Sequence, residues 1–123
     1  MILTEDITDL RYQIRAYQPG RIDINGTGYQ QSLILTPQQL ITDWLPQSLT
    51  ELKPEDWSQI ISFHPKLVLL GVGVRFQMPN PNLLAPLRQH QISIESMDTG
   101  AACRTFIALT AEGRQVCAAL LIR

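Results

Sequence analysis

A short, uninterrupted apolar run is the feature that most constrains the fold of this chain. Residues 67–73 read LVLLGVG, without a polar side chain. A strand exposed on one side alternates apolar and polar residues, whereas a strand buried on both sides is apolar throughout. The run therefore predicts a central strand of a sheet that is covered on both faces.

Helix-like and strand-like segments alternate along the second half of the chain. Each predicted helix begins at a residue suited to a helix N-terminus, either a proline or a short polar side chain that can cap it. Pro86 conflicts with an unbroken second helix, so we expect a kink or a late start there. This alternation favours parallel strands joined by helical crossovers. The helices are predicted to begin at Pro54, Asn80-Pro81 and Asp98 or Thr99, and the strands to lie within residues 66–73, 91–96 and 115–122.

The first half of the chain carries the signature of a β-hairpin. Asn25-Gly26 separates the alternating residues 21–25 from a strand predicted over residues 29–35. Asn and Gly tolerate the positive φ that tight hairpin turns require. A short helical piece is predicted over residues 38–44. Together the elements predict an α/β fold with a mixed sheet, an N-terminal hairpin and helices on its faces, built as a single domain over residues 1–123.

Composition limits the classes of function. Ten Lys and Arg against 11 Asp and Glu give a net charge of -1, so we expect no binding of nucleic acid through bulk positive charge. No apolar run reaches the roughly 18 residues of a transmembrane segment. The first ten residues are acidic where an export signal would be basic. We therefore predict a cytoplasmic location.

The two cysteines, Cys103 and Cys117, are predicted to be reduced, buried side chains. No second pair of Cys or His stands at the spacing of a structural zinc site. We predict no metal and no cofactor. A redox role for the thiols is the alternative.

One set of residues suggests a ligand site where the apolar strand ends. Ligands of parallel sheets collect beyond the carboxyl ends of strands, and helix N-termini attract anions. Two arginines there could hold a carboxylate or phosphate. The structural alternative is that the glycines form a tight turn and Asp98 caps the helix. If Gly71 adopts positive φ, Gly71→Val should destabilise the domain, because a β-branched residue is strained there. The candidate ligand-binding residues are Gly71, Gly73, Arg75, Asp98, Thr99 and Arg104.

Catalytic chemistry has weaker support. His64 is predicted on the buried face of the first helix, and His90 lies in a polar segment. Neither belongs to a nucleophile elbow or a zinc-protease motif, so no catalytic residue is assigned. Trp44 and Trp57 are predicted as core or interface anchors. The charged residues Arg104, Glu112 and Arg114 are predicted either to form ion pairs with other elements or to form a partner-binding patch.

Several motifs together resemble a known family. They are I-N-G at residues 24–26, L-L-G-V-G at 69–73, M-D-T-G-A-A-C-R-T-F at 97–106 and A-E-G-R-Q-V-C-A-A-L at 111–120. They resemble the family of small prokaryotic proteins that includes mitochondrial respiratory complex I assembly factor 3 and the adipogenesis-associated domain protein. The resemblance extends from about Tyr17 to Leu121. One departure is that Phe106-Ile107 stand where the family often has Tyr-Asn, so those polar groups are absent here.

The resemblance implies a three-layer α/β fold with a central mixed sheet and no established reaction. It favours a non-enzymatic protein that binds another protein as an assembly or accessory factor. The partner's identity and the oligomeric state are left open, including self-association through the hairpin edge. The competing class is a small-anion or small-molecule binding protein, or an enzyme, that uses the site between Gly71-Gly73 and the helix starting near Asp98.

Overall fold

Two sheets organise the part of the chain that the computed structural model describes, residues 10–123. The first ten residues, used above for the prediction about export, lie mostly outside the described residues, which exclude 1–9. An antiparallel three-stranded sheet has the order β1-β2-β3, and a mixed five-stranded sheet has the order β5-β4-β8-β6-β7. The strands are β1 Ile14–Gln18, β2 Arg21–Ile24, β3 Thr27–Tyr29, β4 Leu33–Leu35, β5 Leu40–Ile41, β6 Leu67–Gly71, β7 Ser93–Met97 and β8 Cys117–Leu120.

The predicted central strand is confirmed. β6 pairs in parallel with β7 on one side and with β8 on the other. β4 then joins β8 in antiparallel orientation, which makes the sheet mixed. The parallel pairs follow from the helical crossovers that separate these strands in sequence.

Three α-helices connect the strands of the larger sheet within the described residues: α1 Ser58–Ser62, α2 Ala85–Gln89 and α3 Thr99–Ala111. A 3₁₀ turn leads into each of the first two, at Pro54–Trp57 and Pro81–Leu84. The late start expected at Pro86 is confirmed, because Pro86 lies in the first turn of α2, where its missing N–H costs no helical bond.

The core is divided by the five-stranded sheet into two faces, as period-two alternation requires. Leu69 contributes to the face packed against α3 and the smaller sheet. Val68 and Leu70 contribute to the opposite face, which holds both tryptophans and the residues of α1 and α2. The arrangement confirms a three-layer α/β fold.

Both tryptophans are buried anchors, as predicted. Their ring centroids lie 5.9 Å apart. The Trp57 indole N–H donates to the Leu83 carbonyl at 2.8 Å, and the Trp44 indole N–H donates to the Asp56 carbonyl at 3.1 Å. These bonds satisfy the polar atom of each ring inside an apolar layer.

Two local predictions for the first half were wrong. The strand predicted over residues 29–35 is divided between the sheets, because the buried Ser32 donates its backbone N–H to the Gln47 side chain rather than to a neighbouring strand. Residues 38–44 contain β5 instead of a helix. The Thr36 hydroxyl accepts the N–H groups of Gln38 and Gln39, which forms a turn between β4 and β5.

Candidate functional site

The carboxyl end of β6 meets the start of α3 through hydrogen bonds centred on Thr99. This side chain is fully buried. Its hydroxyl donates to the Leu121 carbonyl at 2.5 Å and accepts the Gly73 N–H at 2.9 Å. The Thr99 N–H donates to the Gly73 carbonyl at 2.8 Å. One threonine therefore joins the strand end, the helix start and the C-terminal segment.

The glycines allow this close approach. A Cβ on Gly71 would lie 2.8 Å from the Thr99 hydroxyl oxygen, and a Cβ on Gly73 would lie 2.5 Å from the Arg123 carbonyl oxygen. The condition of positive φ is not met at Gly71; in this turn it is Gly73 that has positive φ, at +117°. Gly71 is the last residue of β6. Glycine is required there because a Cβ would have no room, and not because of the backbone angle φ.

Asp98 occupies the N-terminus of α3 as its cap. Its carboxylate accepts the Ala101 N–H at 2.8 Å, which satisfies one of the helix's free donors. Its negative charge also complements the positive end of the helix dipole. The structure therefore gives this carboxylate the capping role that the sequence offered as the structural alternative.

Arg104 is exposed but turns back along α3 toward its first turn. A guanidinium nitrogen lies 3.4 Å from where a Cβ on Gly100 would be, and the Tyr17 ring covers the same position at 3.0 Å. Burial raises the pKa of Tyr17, and the neighbouring Cys103 and Asp98 raise it further. The ring therefore stays neutral and packs against the helix.

The segment after Gly73 has several apolar side chains that are exposed to solvent. Val74 is 47% exposed, Phe76 48% and Met78 77%. Arg75 lies between the first two and is exposed as well. Hereafter residues 74–78 are called the apolar segment. Because Gly73 bonds to Thr99, the apolar segment begins at the same edge of the sheet as the first turn of α3.

The candidate ligand residues thus fall into two groups. Gly71, Gly73 and Thr99 are buried and contact one another, and Asp98 caps the adjoining helix. Arg75 and Arg104 are exposed near that edge. Binding of a ligand by this set stays a prediction.

The remaining reactive side chains are placed as follows. His64 is exposed rather than buried, because α1 ends at Ser62 and His64, with φ of +53°, does not continue its buried face. The His90 ring nitrogen Nδ1 lies 2.9 Å from the Pro86 carbonyl oxygen.

Both cysteines are free and buried, as predicted. Burial raises the pKa of each thiol to about 12, with the nearby Arg104 lowering that of Cys103 against this effect.

Other predicted charges lie at the surface. Arg104, Glu112 and Arg114 are all exposed. Across residues 10–123, no group of three or more His, Cys, Asp or Glu is arranged to hold a metal ion. Nor does any helix in that range have the length and apolar character to cross a bilayer.

These features define an α/β protein. Hydrogen bonds within the chain close the carboxyl end of β6, and the exposed apolar segment begins beside it. The chain belongs to the family described as protein of unknown function (DUF498/DUF598), whose model matches residues 14–121. This finding confirms the resemblance seen in the motifs.

Relatives with assigned names and solved structures extend the comparison. A bovine relative named NADH dehydrogenase [ubiquinone] 1 alpha subcomplex assembly factor 3 is 32% identical over 114 residues, covering 91% of this chain and 61% of the relative. The chain therefore spans about three fifths of that relative's length. The NMR structure of a Xanthomonas campestris protein is 35% identical with a TM-score of 0.82, over 90% of this chain and 84% of that protein. A Bordetella parapertussis crystal structure is 30% identical with a TM-score of 0.84, over 91% and 96%.

Proposed function

We propose that this protein is a non-enzymatic assembly or accessory factor that acts by binding another protein. The observation that carries the proposal is its 32% identity to the bovine assembly factor over 91% of this chain. The aligned part includes about three fifths of the relative, so the proposal concerns the shared α/β unit. Respiratory complex I subunits as the captured protein are one outcome of the test described below.

The chemistry of the reactive side chains favours binding over catalysis. With a pKa of about 12, the buried thiols of Cys103 and Cys117 remain protonated at neutral pH, and the thiolate is the nucleophilic form. The Thr99 hydroxyl is held by two backbone groups inside the core. All three side chains are buried in the core.

The apolar segment is the surface that we assign to the partner. Exposed apolar side chains gathered in one place commonly mark protein interfaces, whereas isolated ones do not. Phe76 and Met78 supply the largest apolar side chains there, and Arg75 supplies a positive charge. Arg104 adds a second positive charge near the same edge. The matching partner surface is apolar with acidic side chains at its border.

Affinity capture from the native cell lysate tests the function. The tagged chain is compared with Phe76→Ala/Met78→Ala, with Arg104→Ala and with Leu45→Ala. Leu45 is a matched control because it is 82% exposed and lies outside the apolar segment. We expect one protein to be enriched by the wild type and by Leu45→Ala, and to be depleted from the double variant.

The alternatives give different results. Equal capture of the partner by all variants would show that the apolar segment is not part of the interface. A small anion that co-purifies with the wild type, and is lost with Arg104→Ala, would instead support the predicted ligand site at the end of β6. Fractionation of the same cells tests the cytoplasmic location, since recovery of the chain with membranes would contradict it.

A further inference from the structure

A cleft lies at the opposite edge of the five-stranded sheet from the predicted site. It has a volume of about 580 Å³ and is lined by three segments, within residues 36–39, 63–67 and 114–117. These are the β4–β5 turn, the α1–β6 connection and the approach to β8. The adjacent parallel strands β6 and β8 both begin at this cleft.

The charge of the cleft has one sign. Its charged lining residues are Lys66 and Arg114, whereas no Asp or Glu lines it among the described residues. The chain as a whole carries a net charge of -1, so this grouping does not reflect a generally basic surface. Two loops far apart in sequence supply the basic side chains, and a carboxylate or phosphate group would complement them.

Apolar side chains also line the cleft. Phe63, Leu67 and Val116 line it beside the basic groups. Cys117 belongs to the same lining, and burial keeps its thiol protonated, so it adds no negative charge. The volume of the cleft lies within the range of about 300–1,000 Å³ that is typical of small-molecule sites.

We propose that this cleft binds a small organic anion, with its carboxylate or phosphate beside Lys66 and Arg114 and its apolar part against Phe63, Leu67 and Val116. The proposal goes beyond the assembly-factor function and is independent of it, because the apolar segment lies at the other edge of the sheet. His64, which has φ of +53°, also lines the cleft.

Titration of the ¹⁵N-labelled chain with phenyl phosphate tests the proposal by NMR. Benzyl alcohol serves as the neutral aromatic probe and inorganic phosphate as the anion without an apolar part. We expect saturable shifts of backbone amides in residues 63–67 and 114–117 with phenyl phosphate. Binding should be at least about fivefold weaker for each other probe, because each lacks one of the two recognised parts.

Charge-removing variants locate the site. Lys66→Gln and Arg114→Gln are each expected to weaken phenyl phosphate binding at least about fivefold. Both residues are exposed, so the variants should fold, and the unperturbed amide spectrum checks this. Lys53→Gln is the matched control, since Lys53 is exposed and lies in a different depression with Glu51 and Asp56.

Three results would overturn the proposal. One is the absence of saturable shifts in the cleft at millimolar phenyl phosphate. Another is equal binding of phenyl phosphate and inorganic phosphate, which would indicate nonspecific anion association. The third is equal weakening by Lys66→Gln and Lys53→Gln. None of these results bears on capture of a protein partner, so the two proposals fail separately.

Discussion

Replacement of Thr99 by valine tests the physical account of the strand end most sharply. Valine has nearly the same shape as threonine but neither donates nor accepts a hydrogen bond. The variant removes the partner of the Gly73 N–H, at 2.9 Å, and of the Leu121 carbonyl, at 2.5 Å, at a fully buried position. Leaving a buried polar group unsatisfied costs about 1–3 kcal/mol, so we expect Thr99→Val to lower the free energy of unfolding by about 2–5 kcal/mol.

Thr99→Ser is the matched control. It keeps the hydroxyl and removes one buried methyl group, which costs about 1 kcal/mol. Serine should therefore be clearly less destabilising than valine, although valine preserves the volume better. If apolar packing were the dominant role of this side chain, the order of the two variants would be reversed.

Urea unfolding followed by far-UV circular dichroism measures both variants. The midpoint should fall in the order wild type, Thr99→Ser, Thr99→Val, with an unchanged slope. A Thr99→Val protein within about 1 kcal/mol of the wild type would refute the hydrogen-bond argument. The wild type should also unfold in one cooperative transition, as the single-domain prediction requires, and two separated transitions would contradict that prediction.

Three further predictions use the same unfolding assay. Gly73→Ala should cost at least about 1 kcal/mol more than Gly20→Ala, because both residues have positive φ but only the first would bring its Cβ to 2.5 Å from a backbone carbonyl; equal costs would contradict this steric argument. Asp98→Ala should cost about 1 kcal/mol through loss of the α3 cap, and Asp98→Asn much less. Burial raises the pKa of Cys103 and Cys117 from 9.0 to about 12, so the unfolded chain loses those protons first and stability should fall as the pH rises from about 9 to 12. A Cys103→Ala/Cys117→Ala variant measured over the same pH range should lose that part of the dependence, and an identical pH profile would count against it.

Local patterns predicted the elements that local chemistry determines. The apolar run that forms β6 and the cap at Asp98 both follow from side chains within a few residues. The same is true of the Asn25-Gly26 hairpin, where both residues adopt positive φ. Each of these features is determined by residues close in sequence, without contributions from distant segments.

Long-range contacts explain the failures. The strand predicted over residues 29–35 is divided because Ser32 bonds to Gln47, which lies beyond a later turn. Positive φ, considered for Gly71, occurs at Gly73, and only the folded chain shows that the Arg123 carbonyl leaves no room for a Cβ there. Periodicity placed His64 on a buried face, but it could not show that α1 ends before that residue.

The basic cleft was missed for a related reason. Its lining comes from three segments separated by more than twenty residues each, and no motif joins them. The sequence signal that exists is a basic side chain just before each of two neighbouring strands, Lys66 before β6 and Arg114 before β8. These two basic residues predict a shared site only when β6 and β8 are known to be adjacent and parallel.

The central claim is that this chain binds a protein partner through the apolar segment. The most direct test is isothermal titration calorimetry with the captured partner, repurified, against the wild type, Phe76→Ala/Met78→Ala and Leu45→Ala. We expect saturable binding to the wild type, the same affinity for Leu45→Ala and at least about tenfold weaker binding to the double variant, as for interface anchors. No binding to the wild type, or equal affinity for all three chains, would contradict the claim.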